Sequence, residues 1–395
     1  MVGLRLRSFT ATAAAPAARK LGLRLITTTC RAVVVPRFGG PDVLELRPDV
    51  EIPDLKPHDV LVRTRCASVN PLDTLYCVVS MVADEVDLSM ILVLHDDFGY
   101  CWLVVMRSGY GRSIFGPLLP LILGRDISGE VAAVGASVSS LSVGQEVFGA
   151  LHPTAIRGTY TDYAILSEDE LTGKPPSLTH VEASAIPFAA LTAWRALHST
   201  ARVANGQRLL VIGGGGTVGL AAIQLAVDKG CIVSTTCGSE SVSRLQAAGV
   251  EQAVDYKAED VEFALKGPFD AVLDTIGVQE TERIGINLLK KGGHYMTLQG
   301  ETAALADKYG LAVGIPIATA ILLKKQLHYR YSPGIEYSWT YMRADSEGLQ
   351  EIRRLAEAGN LKIPVQKTFP LAQAREAHLA KDKRLILGKV VLEVD

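Results

Sequence analysis

Short apolar runs broken by Gly, Pro and Asp fill the chain from Ala32 to about Ser167, as in Val60-Leu-Val-Arg, Gly129-Glu-Val-Ala-Ala-Val-Gly and Gln145-Glu-Val-Phe-Gly. Runs of strand length bounded by turn formers predict a β-rich domain. From Val181 to about Leu323 the texture changes. Amphipathic stretches of helix length alternate there with strands that read as buried: Arg208-Leu-Leu-Val-Ile, Cys231-Ile-Val-Ser-Thr and Asp270-Ala-Val-Leu-Asp. That alternation predicts a parallel sheet and an α/β domain. The tail predicts a helix over Leu349 to Ala358, a turn at Gly359-Asn360, and a last strand from Gly388 that returns to complete the first domain. The boundaries expected are 32–185 for the β-rich domain, 186–334 for the parallel-sheet domain and 335–395 for the returning segment.

Length and composition leave room for both units, since 395 residues with 48% hydrophobic content suffice for two cores. The formal net charge of −2 argues against a polybasic surface for nucleic acid. Positive charge is concentrated at the start, where Arg5, Arg7, Arg19, Lys20, Arg24, Arg31 and Arg37 precede the first acid, Asp42, among many Ala, Ser and Thr. A transit peptide over residues 1–31 has this composition. The address expected is the mitochondrial matrix, with a plastid as the alternative. No run of about 18 uncharged apolar residues is present, so no membrane span is expected; peripheral contact with the inner membrane and a homodimer stay open. Six cysteines at 30, 66, 77, 101, 231 and 237 have no metal-ligand spacing and suit a reducing compartment.

The chemistry begins at Arg208-Leu-Leu-Val-Ile-Gly213-Gly-Gly-Gly-Thr-Val-Gly219, where an apolar strand, a glycine turn and an amphipathic helix follow one another directly. The GxGxxG pattern fits one register. It puts Gly214 in the tight turn, Gly216 where backbone approaches a pyrophosphate and Gly219 where helix meets strand, with Thr217 and Val218 opening the helix. The next strand runs into Thr236-Cys-Gly-Ser239-Glu-Ser241-Val-Ser-Arg244. Small hydroxyls with Arg244 suit the 2′-phosphate of NADPH better than the acid of an NAD site would, although Glu240 argues the other way.

Further segments extend the picture: Ala67-Ser-Val-Asn70-Pro-Leu-Asp73, Met106-Arg-Ser-Gly-Tyr110, Leu123-Gly-Arg-Asp126-Ile-Ser-Gly129, Pro187-Phe-Ala-Ala-Leu-Thr192-Ala-Trp and Gly249-Val-Glu-Gln-Ala-Val-Asp255-Tyr256. Together they resemble the quinone-oxidoreductase branch of the medium-chain dehydrogenase/reductases, across everything after the leader. The resemblance implies a GroES-like catalytic domain packed on a Rossmann cofactor domain, with substrate in the cleft between them. It implies further cofactor contacts at Thr192, Ser239, Tyr256, Leu298 and Gln299. Tyr110 becomes the candidate proton donor, and Asn70 and Asp73 the cleft floor.

Zinc-dependent relatives need Cys or His and an acidic ligand in this cleft to polarise an oxygen. Here Gly124-Arg125-Asp126 replaces their Gly-His-Glu, Asn70 falls where their ligand-bearing segment lies, and the four-cysteine lobe is missing. No metal is therefore expected. The acceptor implied is a quinone or activated enone, with a link to ubiquinone metabolism. The alternatives are an enoyl-thioester reductase and a non-catalytic NADPH-binding partner protein.

One segment breaks the pattern. The branch runs almost directly from Asn-Pro-Leu-Asp-Thr into Met-Arg-Ser-Gly-Tyr, whereas residues 75–105 intervene here, with no Lys, Arg or Pro and with five acids. This atypical insertion reads as a gene-model artefact such as a retained intron, or else as a lid loop.

Overall fold

The computed structural model describes residues 28–73, 111–382 and 388–395. The insertion at 75–105, candidate donor Tyr110 and leader residues 1–27 lie outside the described residues.

The first domain is antiparallel. Its strands are β1 (Thr29–Val35), β2 (Glu45–Glu51), β3 (Asp59–Val69), β4 (Leu121–Ile122), β5 (Asp126–Val134), β6 (Glu146–Ala150), β7 (Tyr163–Ser167) and β8 (Leu171–Gly173). β3 organises it. Val60 and Val62 pack with Ile127, Val131 and Val147 in one apolar cluster, whereas Ala67 and Val69 join another with Val34, Leu123 and Phe115. The β3–β5 register shifts between Thr64 and Cys66. An irregularity of this kind interrupts the strict alternation of faces and lets one strand serve two cores.

The second domain is the expected parallel sheet, formed by β9 (Arg208–Ile212), β10 (Ile232–Cys237), β11 (Gln252–Asp255), β12 (Phe269–Asp274), β13 (Leu289–Thr297) and β14 (Glu336–Trp339). Their spatial order is β11-β10-β9-β12-β13-β14. The chain winds outward from β9 in one direction and then restarts at β12 in the other, so a crevice opens beyond the carboxyl ends of β9 and β12. β14 pairs with β13 in register from His294↔Glu336 to Thr297↔Trp339, which carries this sheet past residue 334.

After β14 comes a helix at Ser346–Glu357, whose first turn is capped by Asp345 accepting from the Gly348 N–H. β15 (Val365–Pro370) and β16 (Lys389–Glu393) then return to the sheet of the first domain. Its order is β15-β16-β3-β5-β6-β8, with β7 also paired to β3, so the last strand of the chain lies inside the sheet and not at its edge. The largest apolar cluster crosses the domain junction, joining Phe148 and Ala150 to Ala190, Leu220 and Ile223 and to Leu349 and Ile352. Among the described residues, no helix is long and apolar enough to cross a membrane.

Candidate active site

The crevice beyond β9 is shaped by what its glycines leave out. Gly213 takes a φ of +86°, which L side chains rarely adopt, and a Cβ there would lie 2.4 Å from Thr275 Oγ1. Gly213 is therefore the left-handed residue of the turn, with Gly214 beside it in the same turn. Gly214 matters for space, because its Cβ would stand 2.1 Å from Thr235 Oγ1. At Gly219 a Cβ would meet the Gly213 carbonyl oxygen at 2.3 Å, so helix and turn close only around glycine. Gly216 differs. Nothing lies closer than 3.5 Å to its Cβ position, which leaves that backbone open to an incoming group.

The helix Thr217–Asp228 starts directly after Gly216 with no side-chain cap. Its first N–H groups, including those of Thr217, Val218 and Gly219, precede any intrahelical partner, and such an end attracts anionic oxygens. An open glycine before an uncapped helix fits a diphosphate. Thr192 lies on the neighbouring helix Pro187–Trp194, which packs on Thr217–Asp228. Its hydroxyl donates to the Phe188 carbonyl at 2.7 Å.

Past its carboxyl end, β10 runs through Gly238 into a tight turn over Ser239–Ser241. The Ser239 hydroxyl donates to Asp255 Oδ2, and Asp255 Oδ1 accepts the Lys257 N–H at 3.0 Å. These two bonds hold the Asp255 carboxyl below the usual carboxylate range. Arg244 reaches back to donate to the Gly215 carbonyl at 3.0 Å and to Ser241 Oγ at 3.3 Å. Tyr256 is partly exposed, with the Lys257 ammonium 5.9 Å above its ring.

At the other end of the crevice stands Asp274, the last residue of β12. Its Oδ1 accepts from the Ile276 and Gly277 N–H groups at 2.8 and 2.9 Å, and its Oδ2 from Thr281 Oγ1 and Tyr295 Oη at 2.6 and 2.7 Å. Burial pushes this carboxyl up despite four donors. The loop so fixed brings Gly277, at φ +73°, under Gln299, whose Cγ would lie 2.2 Å from a Cβ at that glycine. Leu298 donates its N–H to the Asp274 carbonyl at 3.2 Å. Leu298 and Gln299 thus share one rim with Asp274 and Gly277.

The cleft wall belongs to the first domain. Asn70 spends both ends of its amide: Nδ2 donates to Asp126 Oδ2 at 2.9 Å, and Oδ1 accepts from Lys389 Nζ at 2.6 Å. Lys389 also donates to Asp126 Oδ2 and to Ser68 Oγ, each at 2.8 Å. Asp126 Oδ1 accepts the Phe188 N–H at 2.6 Å, tying the wall to the helix that carries Thr192. Asp73 is equally committed, its two oxygens accepting from the Gly124 and Asn70 N–H groups at 2.9 Å, while burial raises its carboxyl. Asn70 and Asp73 brace this wall. Asp307, on the helix Thr302–Tyr309, accepts from the N–H groups of Gly111 and, at 2.7 Å, of Ser113.

Asn70, Arg125 and Asp126, which the resemblance sets at the ligand-bearing segments of zinc-dependent relatives, lie at a buried ammonium–carboxylate pair of Lys389 with Asp126, and Arg125 is itself 1% exposed. This donor set does not fit zinc, since two cations would repel it and the carboxylate is already spent. Among the described residues, no group of three or more His, Cys, Asp or Glu could hold a metal ion. Sequence reasoning assigned no part to Ser68, Asp255, Asp274, Asp307 or Lys389. Only for Asp274 was there a signal, an acid closing a buried strand.

Residues 248–392 match the family model described as zinc-binding dehydrogenase, and residues 56–176 that of the alcohol dehydrogenase GroES-like domain. The mitochondrial NAD(P)H oxidoreductase RTN4IP1 of Bos taurus is 31% identical, over 96% of this chain and 93% of its own length. The 2-methylene-furan-3-one reductase of Solanum lycopersicum is also 31% identical, over 67% of this chain and 60% of its own. A solved structure, the quinone oxidoreductase from Coxiella burnetii, superposes with a TM-score of 0.71 at 27% identity, covering 92% of this chain and 99% of that one. On a likeness that spans both domains and nearly every residue, the chain belongs to the medium-chain dehydrogenase/reductase family.

Proposed function

We propose that this protein is an NADPH-dependent oxidoreductase that passes hydride to a quinone or an activated enone without zinc. What supports the reading is a glycine turn that leaves Gly216 open before an uncapped helix start, together with a cleft wall in which Asp126 is already paired with Lys389. Without a Lewis acid, the acceptor must already be electron-poor, so that hydrogen-bond donors suffice for the charge that develops on oxygen. The printed names of the similar proteins, an NAD(P)H oxidoreductase, a furanone reductase and a quinone oxidoreductase, support that acceptor class.

In this reading Gly216 and the helix start at Thr217 and Val218 bind the diphosphate, while Ser239, Ser241 and Arg244 favour the 2′-phosphate with Tyr256 beside them. When bound, the cofactor supplies the hydride. Leu298, Gln299 and the loop held by Asp274 orient the reacting ring. Thr192 lines the cradle, and Asn70 and Asp73 keep the wall rigid. Tyr110, whose Oη would hold the proton for the acceptor, completes the set from outside the described residues. The leader composition and the relative's mitochondrial name support a mitochondrial address, with ubiquinone metabolism as the setting. The long helix Leu311–Tyr331 exposes Leu311, Val313 and Ile315, which supports peripheral contact with the inner membrane, and the outer edge of β14 supports a homodimer.

The test is NADPH oxidation by the purified protein against quinones, enones and enoyl thioesters, with and without a chelator. Turnover of quinones or enones that survives chelation is expected. Activity with enoyl thioesters alone, or binding of NADPH with no turnover at all, overturns the reading.

A further inference from the structure

In dinucleotide-binding sheets the adenosine ribose lies beyond the carboxyl end of the second strand, and an acid there accepts its 2′-hydroxyl. Here the second strand, β10, runs through Cys237-Gly238-Ser239 to Glu240, whose carboxylate folds back so that its Oε1 would lie 2.6 Å from a Cβ on Gly238. The third strand supplies a second acid, and this one engages Ser239. Asp255 closes β11 directly opposite Cys237, and its carboxylate takes the hydroxyl of Ser239. Ser239, the residue best placed to greet a 2′-phosphate, is therefore already engaged by a negative charge. The nearby cations are turned to other tasks: Arg244 serves the Gly215 carbonyl and Ser241, and Lys257 lies over the Tyr256 ring.

We propose that Asp255 is the specificity-determining residue of the cofactor site: it accepts the 2′-hydroxyl of NADH and opposes the 2′-phosphate of NADPH. The protein accordingly also admits NADH, and this charge limits its preference for NADPH. This rests on the cofactor site proposed above. A 2′-phosphate brings close to two negative charges against an ionised carboxylate, and Ser239 must leave Asp255 before it can donate to that phosphate. The groups lie at the surface, so the opposition is screened by salt.

The experiment measures dissociation constants of NADPH and NADH by calorimetry for the wild type, Asp255→Asn and Asp255→Glu, at low and high salt. Asp255→Asn keeps the shape and removes the charge, and it is expected to tighten NADPH about tenfold relative to NADH, a gain that shrinks at high salt. Asp255→Glu keeps the charge and is expected to stay near the wild-type ratio. Asp255→Ser repeats the charge removal should the amide disturb the turn. An unchanged NADPH-to-NADH ratio in both uncharged variants overturns the inference, as does an undiminished gain at high salt or a Glu variant that behaves like the Asn one. If the wild type binds neither cofactor, the proposed function falls as well; if it binds and the ratio stays fixed, only the role of Asp255 falls.

Discussion

Lys389 Nζ lies 2.8 Å from Asp126 Oδ2 with their side chains 1% and 0% exposed, an ion pair sealed between the last strand of the chain and the cleft wall. Removing one partner strands the other charge out of water. Lys389→Met is expected to cost about 3–5 kcal/mol, the usual penalty for breaking a buried pair from one side. Adding Asp126→Asn removes the stranded charge, so the double variant should recover much of that loss. Urea denaturation of the single and double variants gives the answer. Equal losses in both would mean that packing, not the stranded carboxylate, sets the cost.

The glycine turn separates binding from folding. Gly216→Val adds a side chain where nothing lies closer than 3.5 Å, so the protein should keep its thermal midpoint and lose NADPH binding. Gly219→Val drives a Cβ to 2.3 Å from the Gly213 carbonyl oxygen, so it should lose both. Calorimetry and thermal unfolding of the two proteins, side by side, check the distinction. Retained binding in Gly216→Val would remove the diphosphate from that position.

His378 supplies a pH dependence. It is fully buried, its ring edge-on to Tyr160 at 5.8 Å between centroids, and burial pushes its pKa from 6.5 down to about 4. As pH falls, the unfolded chain takes up this proton before the folded one does. The contribution of His378 is therefore intact above about pH 6.5 and lost progressively toward pH 4, on the order of 3 kcal/mol in all. His378→Phe should flatten the curve across that window, whatever the carboxylates contribute to both proteins. Denaturation between pH 7 and 4 that shows the same slope with and without the imidazole would exclude it as the source.

The parts of the site that could be read from sequence were those whose geometry is written in consecutive residues. Arg208 to Gly219 fixes a strand, a turn and a helix in one unbroken stretch, and the apolar segments of β10 and β12 could only belong to the same parallel sheet. The last strand was legible as an apolar run, Lys389–Glu393, but its place between β15 and β3 was not. The wall was not legible. Lys389 meets Asn70 across 319 positions and Asp126 across 263, and no local pattern announces either meeting. Asp255 stood in plain view within a quoted motif, yet its part emerges only from the register that sets it opposite Cys237. Spacing set Gly214 in the turn but could not say which of the glycines carries the positive φ; that depends on how Thr275 crowds Gly213.

The interior position of β16 also fixes a timetable. Residues 389–393 lie between β15 and β3, so a chain emerging from its N-terminus has every strand of the cofactor sheet in hand while the sheet bearing Asn70 still lacks its neighbour. Long-range pairing of this kind is slow to form, and a strand left unpaired meanwhile is a site for association with other chains. The half of the molecule that begins first is the half that finishes last, and a ribosome stopping a few residues early would release a protein with its cofactor cradle formed and its cleft wall open.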